Sequence, residues 1–163
     1  MSPESPANYP QSPAVPEPER PSGGAVSVGI VLVSHSRALA EAAMDLARRL
    51  IVAVDVPVEL AAGLADGGLG TDPGAVVEAV ERLAERCEGV LVLADLGSGV
   101  MSAEMALEML DPALAERTRL SAAPFVEGLL GAYGTAGIGK DLQAVAAEAD
   151  GAAEAKRSQV AAF

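Results

Sequence analysis

Histidine and cysteine, the side chains that most often bind metals, occur once each in this chain of 163 residues, as His35 and Cys87. A single cysteine excludes an internal disulfide and any multi-cysteine metal site. A zinc site needs three or four nitrogen, sulfur or carboxylate ligands, and this pair cannot supply the usual set. Cys87 continues the helical spacing of Val76, Val80 and Leu83, so we expect it to be a buried thiol on a helix. We therefore expect neither a metal nor another cofactor.

Aromatic and basic residues are also scarce. There is no tryptophan, and phenylalanine and tyrosine occur twice each, whereas half of the residues are hydrophobic, mainly Ala, Val and Leu. That composition favours helices around a valine-rich sheet. Eleven Lys and Arg stand against 23 Asp and Glu, a net charge of −12, which argues against nucleic acids and anionic membranes as partners because both require a basic patch. Solubility alone or a basic protein partner would explain the acidity.

Long apolar runs are absent as well. No stretch of about 18 apolar residues predicts a membrane span, and the N-terminus lacks the basic-then-apolar pattern of a secretory signal, so we expect a cytoplasmic protein. Seven of the eleven prolines fall in residues 1–24, which predicts a disordered tail there. We expect an ordered domain over 25–150 and a flexible tail over 151–163.

Short apolar runs alternate with helical patterns through the expected domain. The runs typical of buried strands are residues 26–33, 57–63, 89–96 and 119–125. The helical patterns, with a short helical connection over 111–118, are residues 37–52, 73–86, 97–110, 126–136 and 141–149. This alternation predicts an α/β fold, a doubly wound and mostly parallel sheet with helices on both faces. In the first helix, Leu39, Ala43, Leu46 and Leu50 form an apolar stripe.

The loops after the first three strands contain the polar residues of interest. Functional sites of such sheets lie outside the carboxyl ends of the strands. The three loops there read SHSR, DGGLGTD and DLGSG, so His35 is in the first and Asp95 in the third. The sequence around Ser98 does not match the G-x-S-x-G elbow of serine hydrolases, and no phosphate-binding P-loop occurs.

The remaining chemistry uses the histidine as a nucleophile. A neutral imidazole can attack a phosphoryl group and hold it in an N–P bond. An acceptor on the other ring nitrogen would fix the tautomer, and Asp95 is well placed for that role. Helix N-termini offer N–H groups to phosphoryl oxygens. Gly97, Ser98 and Gly99 begin one such helix, and Ser36 and Arg37 begin another.

Structural alternatives exist for each of these residues. Ser34 or Ser36 could cap the first helix, Asp95 could be another cap, and the Gly-Ser-Gly sequence could be only a tight turn. A lone histidine in a loop is more often incidental than catalytic. The methionines spaced along the third helix are interpreted as core or interface residues: Met101, Met105 and Met109.

Several motifs together resemble a known family. These are VGIVLVSHSRALAEA, the GTD at 70–72, LVLADLGSGVMSAEMALEML and APFVEGLLGA. They resemble the phosphoryl-donor subunit of phosphoenolpyruvate-dependent dihydroxyacetone kinase, a branch of the mannose-type IIA domains of the sugar phosphotransferase system. The resemblance covers residues 25–150 and implies the mannose-type IIA-like form of the predicted fold.

The resemblance implies roles for the loop residues. His35 would be the phosphorylated histidine and Asp95 the carboxylate that holds its ring. Gly97 and Ser98 would match the phosphoryl-binding turn, with Ser36 and Thr71 as neighbours. The implied cycle takes phosphate from the phosphocarrier HPr and passes it to ADP in the nucleotide-binding subunit of the kinase. The resulting ATP then phosphorylates dihydroxyacetone in a third subunit, and the donor subunit would be a homodimer.

Two departures from the family affect what the resemblance implies. Some members carry the carrier and first-enzyme domains on the same chain, so this shorter chain is expected to receive phosphate in trans. The loop DLGSGV lacks the longer D-T-W-G-G-S-P of the mannose branch, which favours the dihydroxyacetone branch. A mannose-type sugar component and a non-enzymatic regulatory module phosphorylated on histidine remain alternatives. A chelatase-like enzyme is disfavoured because no second histidine exists.

Overall fold

A computed structural model describes residues 26–162, so the tail predicted over 1–24 lies outside the described residues. The four strands are β1 Val26–Ser34, β2 Val58–Ala62, β3 Cys87–Ala94 and β4 Thr118–Leu120. The helices are α1 Arg37–Leu50, α2 Pro73–Ala84, α3 Gly97–Met109, α4 Pro112–Ala115, α5 Phe125–Gly137 and α6 Leu142–Ala161. All neighbouring strands pair in parallel, in the order β2-β1-β3-β4. The α/β class predicted from the sequence is confirmed.

The central strands are apolar on both faces because each face contributes to a separate core. Successive side chains of a strand point to opposite faces, and along β1 the fully buried Ile30 and Leu32 pack with α1, α5 and α6. Val31 and Val33, between and after them, pack with α2 and α3. The continuous apolar run that predicted a doubly covered strand therefore corresponds to two cores, one on each side of the sheet.

The register of the sheet brings three strand ends together. Ser34 at the end of β1 pairs with Ala62 of β2, and Val33 pairs with Ala94 of β3. The residues that follow these strands consequently emerge at one edge. Gly63 turns the chain there with a φ of 70°, a left-handed conformation that favours glycine, and its N–H donates to the carbonyl oxygen of Ser34 at 3.0 Å.

The face that α1 buries differs from the stripe seen in the sequence. Its buried residues are Ala40, Ala43, Met44 and Ala47. Of the predicted stripe only Ala43 is among them, whereas Leu39, Leu46 and Leu50 are exposed. Alanines on the inner face let the helix backbone approach the sheet closely, which leaves the larger leucines at the margin of the contact.

Cys87 is buried as expected, but it does not lie on a helix. Helix α2 ends at Ala84, and Cys87 is the first residue of β3. The spacing from Leu83 to Cys87 matched a helical turn by coincidence, because the chain leaves the helix and enters the core again as a strand. Burial raises the pKa of the Cys87 thiol, although the neighbouring Arg86 and Arg117 act in the opposite direction.

The C-terminal helix is longer than predicted. Helix α6 continues from Leu142 to Ala161, whereas the sequence predicted its end at 149 and a flexible tail over 151–163. The helix continues through Gly151 because one glycine inside a helix costs only about 1 kcal/mol relative to alanine. The part of the chain that the structure describes contains no helix with the length and hydropathy needed to cross a membrane.

Candidate functional site

The ends of β1 and β3 place His35 and Asp95 in direct contact. The Nδ1 atom of His35 lies 2.9 Å from Oδ1 of Asp95. The backbone N–H of His35 also donates to Oδ2 of Asp95, at 2.9 Å. The Asp95 side chain is 5% exposed and that of His35 is 23% exposed, so the carboxylate is buried beneath a ring whose far side remains open.

Two further donors complete the surroundings of the Asp95 carboxylate. The Ser34 hydroxyl donates to Oδ2 at 2.9 Å, and the Leu96 N–H donates to Oδ1 at 2.7 Å. Partial burial pushes the pKa of Asp95 up, but the bonds from His35, Ser34 and Leu96 outweigh it and hold the pKa below its ordinary value of 3.8. An ionised carboxylate only accepts hydrogen bonds. Nδ1 of His35 therefore carries the hydrogen, and in the neutral ring Nε2 has the free lone pair.

The open side of the ring faces the start of α3. Nε2 of His35 lies 2.5 Å from Oγ of Ser98, whose hydroxyl donates to the nitrogen lone pair. The N-cap residue of α3 is Leu96, and no side chain caps this helix. The first N–H groups of a helix have no acceptor within the helix, so those of Gly97, Ser98 and Gly99 are available at the ring for a negatively charged group.

Known proteins resemble this chain in sequence and in overall structure. The family model described as the PTS system fructose IIA component, EIIA-man, matches residues 29–146. The chain belongs to this family. The matched range contains every predicted site residue of this IIA domain and the carboxyl ends of all four strands.

Relatives of this IIA domain include the phosphoryl donor subunit DhaM of PEP-dependent dihydroxyacetone kinase from Klebsiella michiganensis. It is 44% identical over 135 residues, which are 82% of this chain and 28% of that protein. DhaM of Escherichia coli K12 has the same identity and coverage. The chain thus spans about a quarter of the length of these two relatives. DhaM of the second such kinase of Listeria innocua is 36% identical over 101 residues, 62% of this chain and 79% of that protein.

A solved structure resembles the IIA domain over most of its length. It is a crystal structure of a protein of unknown function, EF1359, with a TM-score of 0.69 and 32% sequence identity. The match covers 76% of this chain and 93% of that chain.

The structure joins three of the predicted site residues of the IIA domain through hydrogen bonds to the His35 ring and leaves the other three outside that chain. His35, Asp95 and Ser98 form the hydrogen-bonded chain. Gly97 is the first residue of α3. Ser36 is the N-cap of α1, which was the structural alternative to a role in phosphoryl binding. Its side chain accepts a hydrogen bond from the Leu39 N–H at 3.2 Å.

Thr71 supports the site from a neighbouring loop. Its hydroxyl is 2.7 Å from that of Ser102 on α3, and the N–H of the preceding Gly70 donates to the His35 carbonyl oxygen at 2.9 Å. The loop between β2 and α2 is therefore tied both to α3 and to the backbone of His35. No hydrogen bond joins Thr71 to the His35 ring within residues 26–162.

Two further residues of these loops support the His35–Asp95 pair through contacts that the sequence did not predict. Ser34 is fully buried, and its hydroxyl accepts from the Ser36 N–H at 3.1 Å while it donates to Asp95. Gly99 leaves room for the pair: a Cβ there would lie 2.9 Å from Oδ1 of Asp95 and 3.7 Å from Cε1 of His35. These contacts depend on the register between β1 and β3, which the sequence pattern does not determine.

Proposed function

We propose that this chain is a phosphohistidine phosphotransferase subunit, the phosphoryl donor of a phosphoenolpyruvate-dependent dihydroxyacetone kinase. It accepts a phosphoryl group from the carrier HPr on Nε2 of His35 and passes it to ADP in the nucleotide-binding subunit. The observation that carries the proposal is the His35–Asp95 pair. Nδ1 of His35 lies 2.9 Å from Oδ1 of Asp95, and Nε2 faces the N-terminus of α3, which has no capping side chain. Family membership and the names of the DhaM relatives support the choice of acceptor.

The transfer step needs no group beyond these side chains and the donor. The Nε2 lone pair attacks phosphorus, an N–P bond forms, and the bond from phosphorus to the donor's leaving nitrogen breaks with its electron pair returning to that nitrogen. The attacking ring gains positive charge, which the adjacent Asp95 carboxylate stabilises. Because Asp95 accepts four hydrogen bonds in the free protein, its position is set before the reaction and costs no reorganisation.

The start of α3 binds the transferred group in this proposal. The Ser98 hydroxyl, which donates to Nε2 in the free protein, turns its hydrogen to a phosphoryl oxygen once Nε2 is bonded to phosphorus. The N–H groups of Gly97 and Ser98 donate to the other oxygens, as helix N-termini do for phosphate. Ser36 and Thr71 act as neighbours: the first keeps α1 at the end of the His35 loop, and the second holds the loop before α2 against α3.

The short connection between β3 and α3 supports the dihydroxyacetone branch over the sugar branch. Strand β3 ends at Ala94 and α3 begins at Gly97, so only Asp95 and Leu96 separate them. This leaves no space for the longer loop expected of the mannose-type sugar components. We further propose that the subunit works in the cytoplasm, where phosphoenolpyruvate is available, and as a homodimer, so light scattering at micromolar concentration should give twice the mass of the chain.

The proposal is tested by reconstitution. The chain is incubated with phosphoenolpyruvate, the general first enzyme and HPr, and we expect one acid-labile, alkali-stable phosphate per chain. His35→Ala should carry none, and label on that variant would contradict the mechanism. Addition of the two kinase subunits with dihydroxyacetone should discharge the labelled protein. Labelling without discharge would favour the regulatory module instead.

A further inference from the structure

The residue before the candidate nucleophile is a serine that is closed off from solvent. Ser34 ends β1 and is 0% exposed, whereas the other buried polar residues of the described part of the chain keep a small exposed fraction. A buried hydroxyl is destabilising unless it is hydrogen-bonded. The partners of Ser34 therefore indicate why a polar side chain ends an otherwise apolar strand.

The Ser34 hydroxyl is bonded to Asp95 on one side and to Ser36 on the other. Its oxygen lies 2.9 Å from Oδ2 of Asp95 and 3.0 Å from the Ser36 carbonyl oxygen, and it accepts from the Ser36 N–H at 3.1 Å. A hydroxyl has one hydrogen to donate, and an ionised carboxylate is the stronger of the two acceptors. The hydrogen consequently points at Asp95, and the N–H that Ser36 donates to the same oxygen polarises that bond further.

The backbone of His35 lies inside this set of bonds. Its N–H donates to Oδ2 of Asp95 at 2.9 Å, and its carbonyl oxygen accepts from the Gly70 N–H at 2.9 Å. The bond between Ser34 and Ser36 closes a short turn around it. The serine hydroxyl thus joins the backbone that carries the imidazole to the carboxylate that the imidazole contacts.

We propose that Ser34 is a positioning residue for phosphoryl transfer, whose hydroxyl fixes the rotation of the Asp95 carboxylate relative to the His35 backbone. The inference rests on the proposed function and adds to it the group that sets the geometry of the nucleophile. Both donors to Oδ2, the Ser34 hydroxyl and the His35 N–H, come from β1 and the residue that follows it. They hold Oδ1 towards Nδ1 of His35, and the direction of the Nε2 lone pair follows from that contact. Ser34 acts only through Asp95 and the backbone, so its loss misaligns the ring without removing a reacting group.

A second buried serine makes bonds of the same kind away from the site. Ser121 follows β4, and its hydroxyl donates to Oδ1 of Asp150 at 2.5 Å and accepts from the Ala123 N–H at 3.1 Å. Asp150 lies on α6, so this bond attaches α6 to the end of β4 and stabilises the fold. Comparison of the two serines therefore separates positioning of the nucleophile from general stability.

The kinetic test compares substitutions of equal shape. Ser34→Thr and Ser34→Val introduce side chains of the same outline, both suited to a strand, and only threonine keeps the hydroxyl. Phosphorylation of the full chain is followed while HPr concentration is varied. We expect Ser34→Val to lower the maximal rate about 30-fold, the loss equivalent to one hydrogen bond to a charged group, with less than a twofold change in the KM for HPr. Ser34→Thr should recover most of the rate. Ser34→Ala should slow transfer as valine does, whereas Ser121→Ala should lower stability and leave the rate unchanged.

A spectroscopic measurement tests the positioning without turnover. His35 is the single histidine, so ¹⁵N NMR of the free protein reports one pair of ring signals. We expect wild type, Ser34→Thr and Ser121→Ala to show a single tautomer with the hydrogen on Nδ1. In Ser34→Val and Ser34→Ala the Nδ1 and Nε2 signals should move towards each other as the second tautomer becomes populated.

The outcomes separate this inference from the proposed function. Wild-type protein that HPr does not phosphorylate would contradict the proposed function itself. Normal wild-type phosphorylation with equal rates in Ser34→Val and Ser34→Thr would overturn only the positioning role. Equal slowing in Ser34→Ala and Ser121→Ala, or ring signals that do not change in Ser34→Ala, would overturn it as well, and this alanine pair decides the question if the larger side chains prevent folding.

Discussion

Helices α1 and α3 both begin at the candidate site, yet they are stabilised in opposite ways. Helix α1 has a capping serine, Ser36, and two basic residues in its last turn, where they favour the helix dipole. The ion pairs Arg37–Glu41 and Arg49–Asp45 at i,i+4 spacing add to it. Helix α3 has no capping side chain and no basic residue in its last turn, and neither helix has an acidic residue in its first turn.

The difference indicates which helix is used for function. Local rules that are broken without an obvious structural gain are expected at functional sites. In the proposed function, the N–H groups at the uncapped start of α3 donate to the phosphoryl group. Helix α1 satisfies its own end and its own charges, and it contributes mainly by fixing the loop that contains His35.

The largest expected effect comes from the residue that ties the start of α3 to His35. Asp95→Asn leaves one acceptor oxygen for four donors and removes the charge that stabilises the phosphorylated ring. We expect phosphoryl transfer to slow about 10³-fold in rapid-quench measurements, a loss of the size seen when preorganised electrostatic stabilisation is removed. Asp72→Asn, at the N-cap of α2, is the matched control, because Asn caps helices as well as Asp. Equal rates for Asp95→Asn and wild type would remove Asp95 from the site.

A smaller loss is expected when α3 is pushed away from the pair. Gly99→Ala places a Cβ 2.9 Å from Oδ1 of Asp95, so the carboxylate, the helix or both must shift. Misplacement of this order can slow a reaction about 10²-fold, measured as the rate of phosphorylation by HPr. Gly97→Ala, whose Cβ would meet nothing within 4 Å, should cost far less. A folded Gly99→Ala protein that transfers as fast as Gly97→Ala would show that the close approach is unimportant.

Two variants test the comparison directly, one that adds a cap to α3 and one that removes the cap of α1. Leu96→Asp provides α3 with a capping carboxylate, which should raise the free energy of unfolding by about 0.5–1 kcal/mol. The same carboxylate should slow phosphorylation about tenfold, because it accepts from the N–H groups at the start of α3 and repels the phosphoryl group. Ser36→Ala should lower the free energy of unfolding by about 1 kcal/mol with a smaller effect on rate. Urea denaturation and phosphorylation kinetics on both variants give the four values. Faster phosphorylation of Leu96→Asp would contradict the role assigned to the free N–H groups.

The smallest effect expected is on the pH dependence of stability. Burial opposes ionisation of Asp95, but its hydrogen bonds prevail and keep its pKa below 3.8, so ionised Asp95 stabilises the folded state at pH values above its ordinary pKa. This contribution should disappear as pH falls through the lowered value. Urea denaturation of wild type and Asp95→Asn at pH 7 and at pH 3 should therefore give a larger difference at pH 7. A difference that grows towards acid would contradict the hydrogen-bond assignment.

The fold class could be predicted because the apolar runs of the strands are clear in the sequence. The buried face of each helix could not be predicted in the same way. Four apolar strands alternating with helices allow few arrangements other than a parallel sheet. The inner face of α1 was misassigned because alanine and leucine are both apolar, and only close packing on the sheet decides that Ala40 and Ala47 are inside while Leu46 is outside. The length of α6 was underestimated, although the residues after Gly151 include several with high helix propensity, such as Ala152, Ala153 and Glu154.

The candidate site was predictable in its chemistry but not in its contacts. His35 and Asp95 stood out because parallel strand ends converge and because the chain has a single imidazole. The assignment of Nδ1 to Asp95 and of Nε2 to Ser98 needed the positions of atoms. Ser34 acts through hydrogen bonds to Asp95 and Ser36, and Gly99 acts through its missing Cβ. Neither kind of contact leaves a pattern in a sequence.

The most direct test of this account is to identify the nitrogen that carries phosphate. The protein is labelled with ¹⁵N in histidine and phosphorylated by HPr, and phosphorus–nitrogen couplings are measured by NMR; because His35 is the single histidine of the chain, the assignment is unambiguous. We predict phosphorus on Nε2, with Nδ1 still protonated and bonded to Asp95. Phosphorus on Nδ1, or on the Ser98 hydroxyl, would contradict the proposed mechanism.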